Sequence, residues 1–504
     1  MTRARREFEL KLSLTGEELD RLAGNAKLAS AEQSNCALRS VYYDTEDYRL
    51  HQEGISLRVR DNGKGFVQTV KLDANLTDGI LNPIEIEDRV YGPAPALDRI
   101  GDKRVRRRVA NALKSLPLTP AFETNVQRTL HRLRKRASLM ELAIDRGETL
   151  ARGKRSQICE AEIELVEGNP KDLLATAQSL FAKNAVRLSP ASKAEGGYQL
   201  LLDEQAPAKI EPSHAAAPDV QSGQSCGQAF AAIFRSARDQ IVKNRTVVLQ
   251  TGEAEGVHQL RVGLTRLRTA QRVVKPLVKS PQLEQLETDA QAIARAVGEL
   301  RDADVLIEDI YAPVTSDPPP EGFDQLQTHR ASKLQEVRHV LNGAVWSRLL
   351  LSLTLWPFML ERDPSLENPV DDYAGKALQK RWKKAAKLGR DIECLEGAKQ
   401  HQMRKVLKKL RYTSEFFAPL YQKKEVKPFL KELKKLQDVF GYANDVRMAG
   451  QVRQICAARC GGEEPAACSA AGYILGYHEA KVQDVWKSAP HCWRRLRRRR
   501  RFWH

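Results

Sequence analysis

The sequence predicts an α+β protein with two domains. An N-terminal antiparallel tunnel or barrel of eight β-strands is followed by an all-α domain of two repeated helical bundles. Short segments that alternate apolar and charged residues fill residues 1–202, and longer segments with helical period fill residues 224–490. A motif in the helical domain occurs twice, which indicates duplication. The stretch 203–223 is rich in Pro and Ala, so we expect a flexible linker there.

Composition restricts the partners. The 504 residues carry a formal net charge of +18, which favours a polyanion: nucleic acid, polyphosphate, a nucleotide or an anionic membrane. No helix-turn-helix, RNA-binding or zinc-finger pattern is present, so no specific nucleic acid is expected. The eight cysteines form no C-x-x-C pair, and the longest apolar run, 349–360, is too short to span a bilayer. We therefore expect a soluble cytoplasmic protein without a membrane partner.

The first strand, Glu7–Leu12, alternates strictly. Glu7, Glu9 and Lys11 share one face, and apolar residues occupy the other. Carboxylates hold a hard divalent cation and cationic side chains hold phosphate oxygens, so a metal-bridged phosphate chain fits this face. The alternative is a half-exposed edge strand with salt bridges.

The later strands repeat this pattern with both signs of charge. They are predicted at Ser40–Asp44, Ser56–Asp61, Phe66–Leu72, Ile84–Val90, Glu123–Arg132, Leu139–Asp145 and Ile158–Val166. Alternation does not say whether the charged faces point into or out of a closed sheet. If they point inward, the lumen requires a charged ligand, because unpaired buried charges are costly.

Eight motifs that follow one another along the N-terminal half resemble those of a known family. The set comprises Glu7-x-Glu9-x-Lys11, Arg39–Thr45, Leu57–Arg60, Gln68–Lys71, Glu85-x-Glu87, Leu142–Gly147, Glu160-x-Glu162-x-Glu164 and Ser192–Glu195. It resembles the CYTH superfamily, the triphosphate tunnel metalloenzymes. The sequence departs from the family pattern at three places: Asn82-Pro83 precedes Glu85 where the family often has Arg, residues 151–157 lack the usual Pro, and Gly196 follows Glu195 where the family usually has Arg.

The resemblance implies a role for each motif residue. Glu7, Glu9, Glu160 and Glu162 would hold Mg²⁺ or Mn²⁺. The substrate-binding residues would be Lys11, Arg39, Arg58, Arg60, Lys71, Arg128 and Lys193. The residues implied in catalysis are Lys11, Arg58, Arg60, Lys71, Glu85, Glu87 and Asp145.

The helical domain contains a duplicated basic stripe. His258, Arg261 and Arg268 return 143 residues later as His401, Arg404 and Arg411. On a helix these steps fall within an arc of about 80°. Such a stripe on each repeat fits a linear polyanion, although a solvated basic helix face is the alternative.

This duplicated motif resembles the CHAD domain, an α-helical family that binds inorganic polyphosphate. The resemblance covers residues 224–490, with repeats of about 224–365 and 366–490. It implies polyphosphate binding by His258, Arg261, Arg266, Arg268, His401, Arg404, Lys408 and Arg411. The Arg-rich tail, 491–504, is expected to be disordered.

Together the two resemblances predict an inorganic triphosphatase, a hydrolase that splits tripolyphosphate in a metal-dependent tunnel, fused to a polyphosphate-binding domain. Two alternatives stay open. The first is a non-catalytic polyphosphate-binding protein. The second is a CYTH enzyme that acts on thiamine triphosphate or nucleotides, including an adenylyl cyclase.

Overall fold

The structure is a computed structural model. It describes residues 5–6, 9–72, 80–81, 84–181, 186–189, 191–202, 210–314, 323–457 and 465–504. The chain divides into two compact units, Met1–Lys209 and Ile210–His504. The division falls inside the predicted linker.

Unit 1 is organised around one antiparallel sheet. Its described strands are β1 (Arg5–Arg6), β2 (Glu9–Ser13), β3 (Glu32–Asp44), β4 (Ile55–Asp61), β5 (Phe66–Leu72), β6 (Ile80–Leu81), β7 (Ile84–Val90), β8 (Thr119–Lys135), β9 (Ser138–Ala151), β10 (Lys154–Glu167) and β11 (Arg187–Leu188). Eight have five or more residues and three have two. The predicted tunnel of eight strands is confirmed for the long strands.

The pairing closes the sheet into a tunnel. The strands follow the order β7-β5-β4-β3-β8-β9-β10-β2. At the seam, β1 pairs with β7 through Arg5 and Glu85, and β2 pairs with β6 through Glu9 and Leu81. The β1–β7 and β2–β6 ladders have the same antiparallel register, so the two ends of the strand order meet and close the sheet.

Helices pack against the sheet of unit 1. Unit 1 contains α1 (Gly16–Ala23), α2 (Arg49–Gln52), α3 (Lys103–Leu113), α4 (Pro170–Leu180) and α5 (Lys193–Leu201). Leu57 and Val59 of β4 pack in one apolar cluster with Val105 and Val109 of α3. Because side chains alternate along a strand, burial of this face against helices directs the charged face inward.

Unit 2 is helical. Its α-helices are α6 (Cys226–Gln250), α7 (Ala254–Val274), α8 (Pro281–Val305), α9 (Phe323–Leu341), α10 (Ala344–Glu361), α11 (Val370–Leu388), α12 (Gly397–Phe417), α13 (Lys423–Ala457), α14 (Pro465–Lys487) and α15 (Ala489–Arg498). Helix α12 begins and ends 143 residues after α7, which is also the interval between the two copies of the motif. Five helices therefore correspond in order to five others, α6–α10 to α11–α15.

The end of the predicted linker is packed, not flexible. Residues 210–223 form no helix or strand, but side chains of α6 form hydrogen bonds with their backbone. Asn244 bonds the backbone of Ser213 at 3.0 and 2.8 Å, and the Ser236 hydroxyl donates to the Ala216 carbonyl at 2.8 Å. Residues 203–209 lie outside the described residues.

The expectation that the Arg-rich tail is disordered is wrong. Residues 489–498 form α15, in which Trp493 and Leu496 are buried. Trp493 stacks on Trp382 with a centroid distance of 5.7 Å. Aromatic anchors on one face bury the segment, while its arginines stay on the other face and at the surface.

No single helix in the described ranges has the length and apolar composition needed to cross a membrane. The bent pair of α9 and α10, inclined at 55°, passes that test together by length and composition only. Most of α10 is buried within unit 2.

Candidate functional site

A cavity of about 220 Å³ lies inside the tunnel of unit 1. Ten of the predicted site residues line it: Glu9, Lys11, Arg58, Arg60, Lys71, Glu85, Glu87, Arg128, Glu162 and Lys193. Glu164 lines it as well. The structure thus brings together residues that are up to 184 positions apart in the chain, from Glu9 to Lys193.

One wall of the cavity, formed by β2, β10 and α5, combines carboxylates and lysines. Lys11 bonds Glu162 and lies 3.7 Å from Glu9 and 3.6 Å from Glu160. Lys193 contacts Glu160 at 2.8 Å and Glu162 at 2.6 Å. Burial opposes the charge of Glu162, but Lys11, Lys193 and Arg128 outweigh it and hold the pKa of Glu162 well below its usual value.

A fully buried carboxylate supports this wall from behind. Asp145 does not line the cavity, but it accepts two hydrogen bonds from Arg128, at 2.7 and 2.6 Å, and contacts Lys193 at 2.8 Å. Arg128 also donates to Glu162 at 2.8 Å. Asp145 therefore fixes the positions of two cations that face the cavity.

The wall formed by β4, β5 and β7 is mainly cationic. Lys71 contacts Glu85 at 2.5 Å, and Arg58 lies 3.7 Å from Glu85. Burial, followed by the neighbouring Arg58 and Arg128, lowers the pKa of Arg60 to about 10. Cations forced this close together favour an anion between them, because it would relieve their repulsion.

Tyr42 lines the cavity, although no role was predicted for it within the Arg39–Thr45 motif. Its ring stacks on Phe122 at 4.4 Å, and Phe122 in turn packs over Gly197 of α5, where a Cβ atom would lie 2.0 Å from the ring. Burial opposes ionisation of Tyr42, but its hydrogen bond to Arg58 and the nearby charges lower its pKa. Its place on the same strand face as Ser40 was the available signal.

The start of α5 positions Lys193. The Ser192 hydroxyl accepts a hydrogen bond from the Glu195 backbone at 3.1 Å and caps the helix. Lys193 is the first residue of the helix, and its side chain is only 9% exposed. The cap therefore fixes the point from which this lysine enters the tunnel.

The carboxylate wall has donor atoms suited to a hard divalent cation. Oε1 of Glu9 is buried and accepts no hydrogen bond from the described residues, whereas the buried Oε2 of Glu160 lies 2.8 Å from the Lys193 ammonium. Burial, followed by the adjacent Glu162, raises the pKa of Glu9. In the described part of the chain, no three acidic, His or Cys side chains are grouped closely enough for one ion, because Lys11 and Lys193 lie among these carboxylates. The carboxylate oxygens of this wall, with the unbonded Oε1 of Glu9 among them, nevertheless fit Mg²⁺ or Mn²⁺.

Two other predicted residues in the described part of the chain, Arg39 and Glu160, do not line the cavity. Arg39 is on the outer face of β3, where its 65% exposed side chain pairs with Glu123 at 2.6 Å. The prediction that Arg39 binds substrate is therefore wrong, because strand alternation turns it away from Ser40 and Tyr42. Glu160 contacts the lysines but is not a lining residue. Glu7 lies outside the described residues.

Unit 2 contains a smaller cavity, of about 120 Å³, between the two repeats. His258 and Arg261 of α7 line it, as do Arg404 and Lys408 of α12. Several other lining residues were not assigned from the sequence: Thr265, Arg301, Asp302, Tyr412, Asn444 and Asp445. Arg261 is held by Asp302 at 2.6 Å, and Arg404 lies 3.9 Å from Asp445.

Lys408 lines this cavity, and its pKa lies far below the ordinary value for lysine. Burial, followed by Arg404 and Arg261, lowers its pKa to about 7. Burial, followed by Arg301, lowers the pKa of His258. A bound polyanion would offset this repulsion and restore the charge of Lys408.

Four predicted polyphosphate residues do not line this cavity. Arg266 is 1% exposed and bonds Gln240, Ala216 and Ser236, so its predicted role as a groove residue is wrong. The side chain of Arg411 bonds Glu415 at 2.7 Å. Arg268 lies further along α7, and His401 reaches the cavity only through Asn444, at 3.4 Å.

Comparison with known proteins identifies two families in the chain. The model of the CYTH domain matches residues 5–198, and that of the CHAD domain matches residues 232–454. An inorganic triphosphatase of Haemophilus influenzae is 30% identical over 200 residues, which is 38% of this chain and 54% of that protein. The chain thus spans about half the length of this curated relative.

A solved structure supports the helical half. The CHAD domain of the plant Ricinus communis has 26% sequence identity and a TM-score of 0.50, and the match covers 57% of this chain and 98% of that one. The two family matches coincide with the closed sheet of unit 1 and the repeated helices of unit 2. The chain therefore belongs to the proteins in which a CYTH domain is followed by a CHAD domain.

Proposed function

We propose that the CYTH domain hydrolyses inorganic triphosphate to diphosphate and phosphate, with Mg²⁺ or Mn²⁺ as cofactor. The observation that carries this proposal is the enclosed cavity in which lysines and arginines from five elements face buried carboxylates. A linear phosphate chain matches the cations, and a divalent ion matches the carboxylates. The similarity to the Haemophilus triphosphatase supports the same substrate.

In this proposal the cations bind and orient the chain. Arg58 and Arg60 supply planar donors to non-bridging oxygens, and Lys71 and Lys193 supply point charges. Arg128, fixed by Asp145, adds a donor from the other wall. Phosphoryl transfer depends mainly on positioning and charge neutralisation, which this arrangement provides. Glu85 and Glu87 would orient the attacking water.

The carboxylate wall would hold the metal. Glu9, Glu160 and Glu162 are the ligands proposed among the described residues, and Glu7 is proposed with them from the motif. When bound, a divalent ion neutralises the phosphoryl oxygens and lowers the pKa of water. Carboxylates in an anion-binding tunnel would otherwise weaken binding, which argues against a non-catalytic binding protein.

Phosphate release from tripolyphosphate tests this proposal. We expect turnover that requires a divalent metal and falls by about a hundredfold or more in Glu162→Gln, because Lys11, Lys193 and Arg128 all lose a charged partner. Glu123→Gln, on the outer face beside Arg39, is the matched control. Undiminished turnover by a folded Glu162→Gln protein would reject the proposed site.

We further propose that the cavity of the CHAD domain binds inorganic polyphosphate. Cations from α7 and α12 converge there, and Lys408 has no ion-pair partner within the described chain. Arg404→Gln with Lys408→Gln should weaken binding of labelled polyphosphate to the full chain. Cytoplasmic location, and the lack of a nucleic-acid or membrane partner, stay predictions from composition.

A further inference from the structure

A second group of cations lies in unit 2 outside the cavity between the repeats. It comes from the later turns of α7, from α11 and from α12. We call it the α7–α11–α12 cluster; it consists of Arg268, Arg272, Arg381, Lys384, Lys405 and Lys409. Among the described residues, none of the six forms an ion pair with a carboxylate.

The charges of the cluster repel one another. Burial, followed by Arg272, Arg381, Lys384 and Lys405, lowers the pKa of Lys409 to about 8. Burial and Arg272 also lower the pKa of Arg268 and of Arg381. The Nε of Arg268 is buried and bonds no acceptor among the described residues. The described residues thus supply no ion-paired counter-charge for these cations, and an anion would relieve their repulsion.

The carboxylate that acts on Arg268 is already engaged. Glu287 offsets part of the repulsion at Arg268, but it pairs with Lys275 at 3.1 Å. Structural ion pairing within the described residues of the unit thus does not account for the cluster, in contrast to Arg261 and Arg411, each of which contacts a carboxylate.

The duplication provides an internal comparison. At the positions that correspond through the 143-residue interval, Arg272 is replaced by Glu415, Lys405 by Val262 and Lys384 by Ile241. Arg411, the counterpart of Arg268, pairs with this Glu415 at 2.7 Å. The other repeat therefore neutralises the same position internally.

In the other repeat, packing also buries the residue that corresponds to Lys409. Arg266 is the counterpart of Lys409, and it is buried. Its guanidinium donates to Gln240 at 3.0 Å and to the Ala216 carbonyl at 3.2 Å, and Ala216 belongs to the packed segment 210–223. One copy of the duplicated position is thus covered and satisfied, while the other is open and cationic.

We propose that the α7–α11–α12 cluster is a second phosphate-binding site, which holds the stretch of a polyphosphate chain that extends from the cavity between the repeats. This inference rests on the proposed polyphosphate binding of the CHAD domain. Arg261 and Arg272 are eleven residues apart on α7, about 16 Å along the axis. That span exceeds the reach of three phosphates, so the second site selects long chains, and it extends the bound chain in one direction only.

Equilibrium binding of end-labelled long-chain polyphosphate to the full protein tests the inference. EDTA is present to prevent turnover. Arg272→Gln with Lys409→Gln removes two cluster charges, and Lys376→Gln with Lys383→Gln removes two exposed charges of α11 as the matched control. We expect the cluster variant to bind long chains about tenfold or more weakly. We also expect its slope of log affinity against log salt to fall by about two.

Comparing the cluster variant with a variant of the cavity between the repeats distinguishes failure of the second site from failure of polyphosphate binding as a whole. Arg404→Gln with Lys408→Gln should weaken both short and long chains, whereas the cluster variant should weaken long chains more than short ones. The inference is overturned if the cavity variant loses binding while the cluster variant matches the control. If the wild-type protein binds no polyphosphate, the proposed function of the CHAD domain fails and the inference fails with it.

Discussion

Arg128 donates two hydrogen bonds to Asp145, and Asp145 is completely buried behind the wall of the tunnel. The same guanidinium reaches Glu162 at 2.8 Å on the cavity side. One arginine thus connects a buried support with a residue that faces the lumen. A bidentate bond of this kind fixes both the direction and the plane of the guanidinium.

Asp145→Asn should reduce hydrolysis although all the lysine and arginine side chains that line the cavity are retained. The neutral amide can satisfy only half of the Arg128 fork, so we expect kcat/KM for tripolyphosphate to fall about tenfold to a hundredfold. Steady-state kinetics measure this loss. Denaturant unfolding should show a decrease of about 3 kcal/mol, because a buried charge network loses one partner. Unchanged kinetics with the expected loss of stability would restrict Asp145 to a structural role.

Arg60 and Arg39 provide a test of which strand face binds substrate. Arg60→Lys keeps the charge but loses the planar donor inside the lumen, so kcat/KM should fall about tenfold or more. Arg39→Lys, on the outer face, should retain wild-type kinetics. The assignment of the lumen as the substrate site would be wrong if the two variants exchanged these effects.

Polyphosphate binding should weaken as the pH rises. The pKa of Lys408 is about 7 in the free protein, so the lysine loses its charge above that pH. A bound polyanion favours the charged form and raises this pKa, so binding takes up a proton between the two values. Affinity should therefore fall by up to about tenfold per pH unit above pH 7. Lys408→Arg should flatten this dependence in the same titration, and an equally steep profile in that variant would contradict the assignment.

The C-terminal helix should contribute to the stability of unit 2. Trp493 is buried and its ring lies against Gly389, where a Cβ atom would be 2.3 Å away. Trp493→Ala should cost about 3–5 kcal/mol of unfolding free energy, since a large aromatic ring leaves a cavity. Chemical denaturation of the full chain measures this. Arg494→Ala, an exposed neighbour, is the control and should unfold like wild type.

Metal removal should stop turnover reversibly. EDTA should abolish phosphate release, and added Mg²⁺ or Mn²⁺ should restore it. Glu160→Gln should raise the metal concentration needed for half-maximal activity by about tenfold or more, because it removes a charged oxygen ligand. A variant with the wild-type metal requirement would exclude Glu160 as a ligand.

Alternation in the sequence predicted which side chains share a face of each strand, and the family resemblance predicted the tunnel. In the first strand, Leu10 and Leu12 are buried in the outer core while Glu9 and Lys11 face the lumen. A strand has only two faces, so alternation predicts which residues share a face, and the packing of the apolar face on helices then turns the charges inward. The same reasoning applied to β3 identifies Tyr42 as a lumen residue and places Arg39 outside, but motif position alone had grouped Arg39 with the substrate residues.

The helical half was less predictable, because side chains point in many directions around a helix and not only to two opposite faces. Arg266 flanks the basic stripe in sequence, yet it is turned inward and bonded to a backbone carbonyl of the segment 210–223. The packing of that proline-rich segment produces no periodic pattern, and in α15 only Trp493 and Leu496, three residues apart, mark a buried face within a run of arginines. Both depend on long-range contacts that composition does not reveal.

The most direct test of the central proposal is phosphate release by the purified full chain. Tripolyphosphate, ATP and thiamine triphosphate should be compared side by side, each with Mg²⁺, with Mn²⁺ and with EDTA. The proposed function predicts fast, metal-dependent turnover of tripolyphosphate and much slower turnover of the other two. Turnover of none of the three, by protein that still binds polyphosphate, would contradict it and would indicate a binding protein instead.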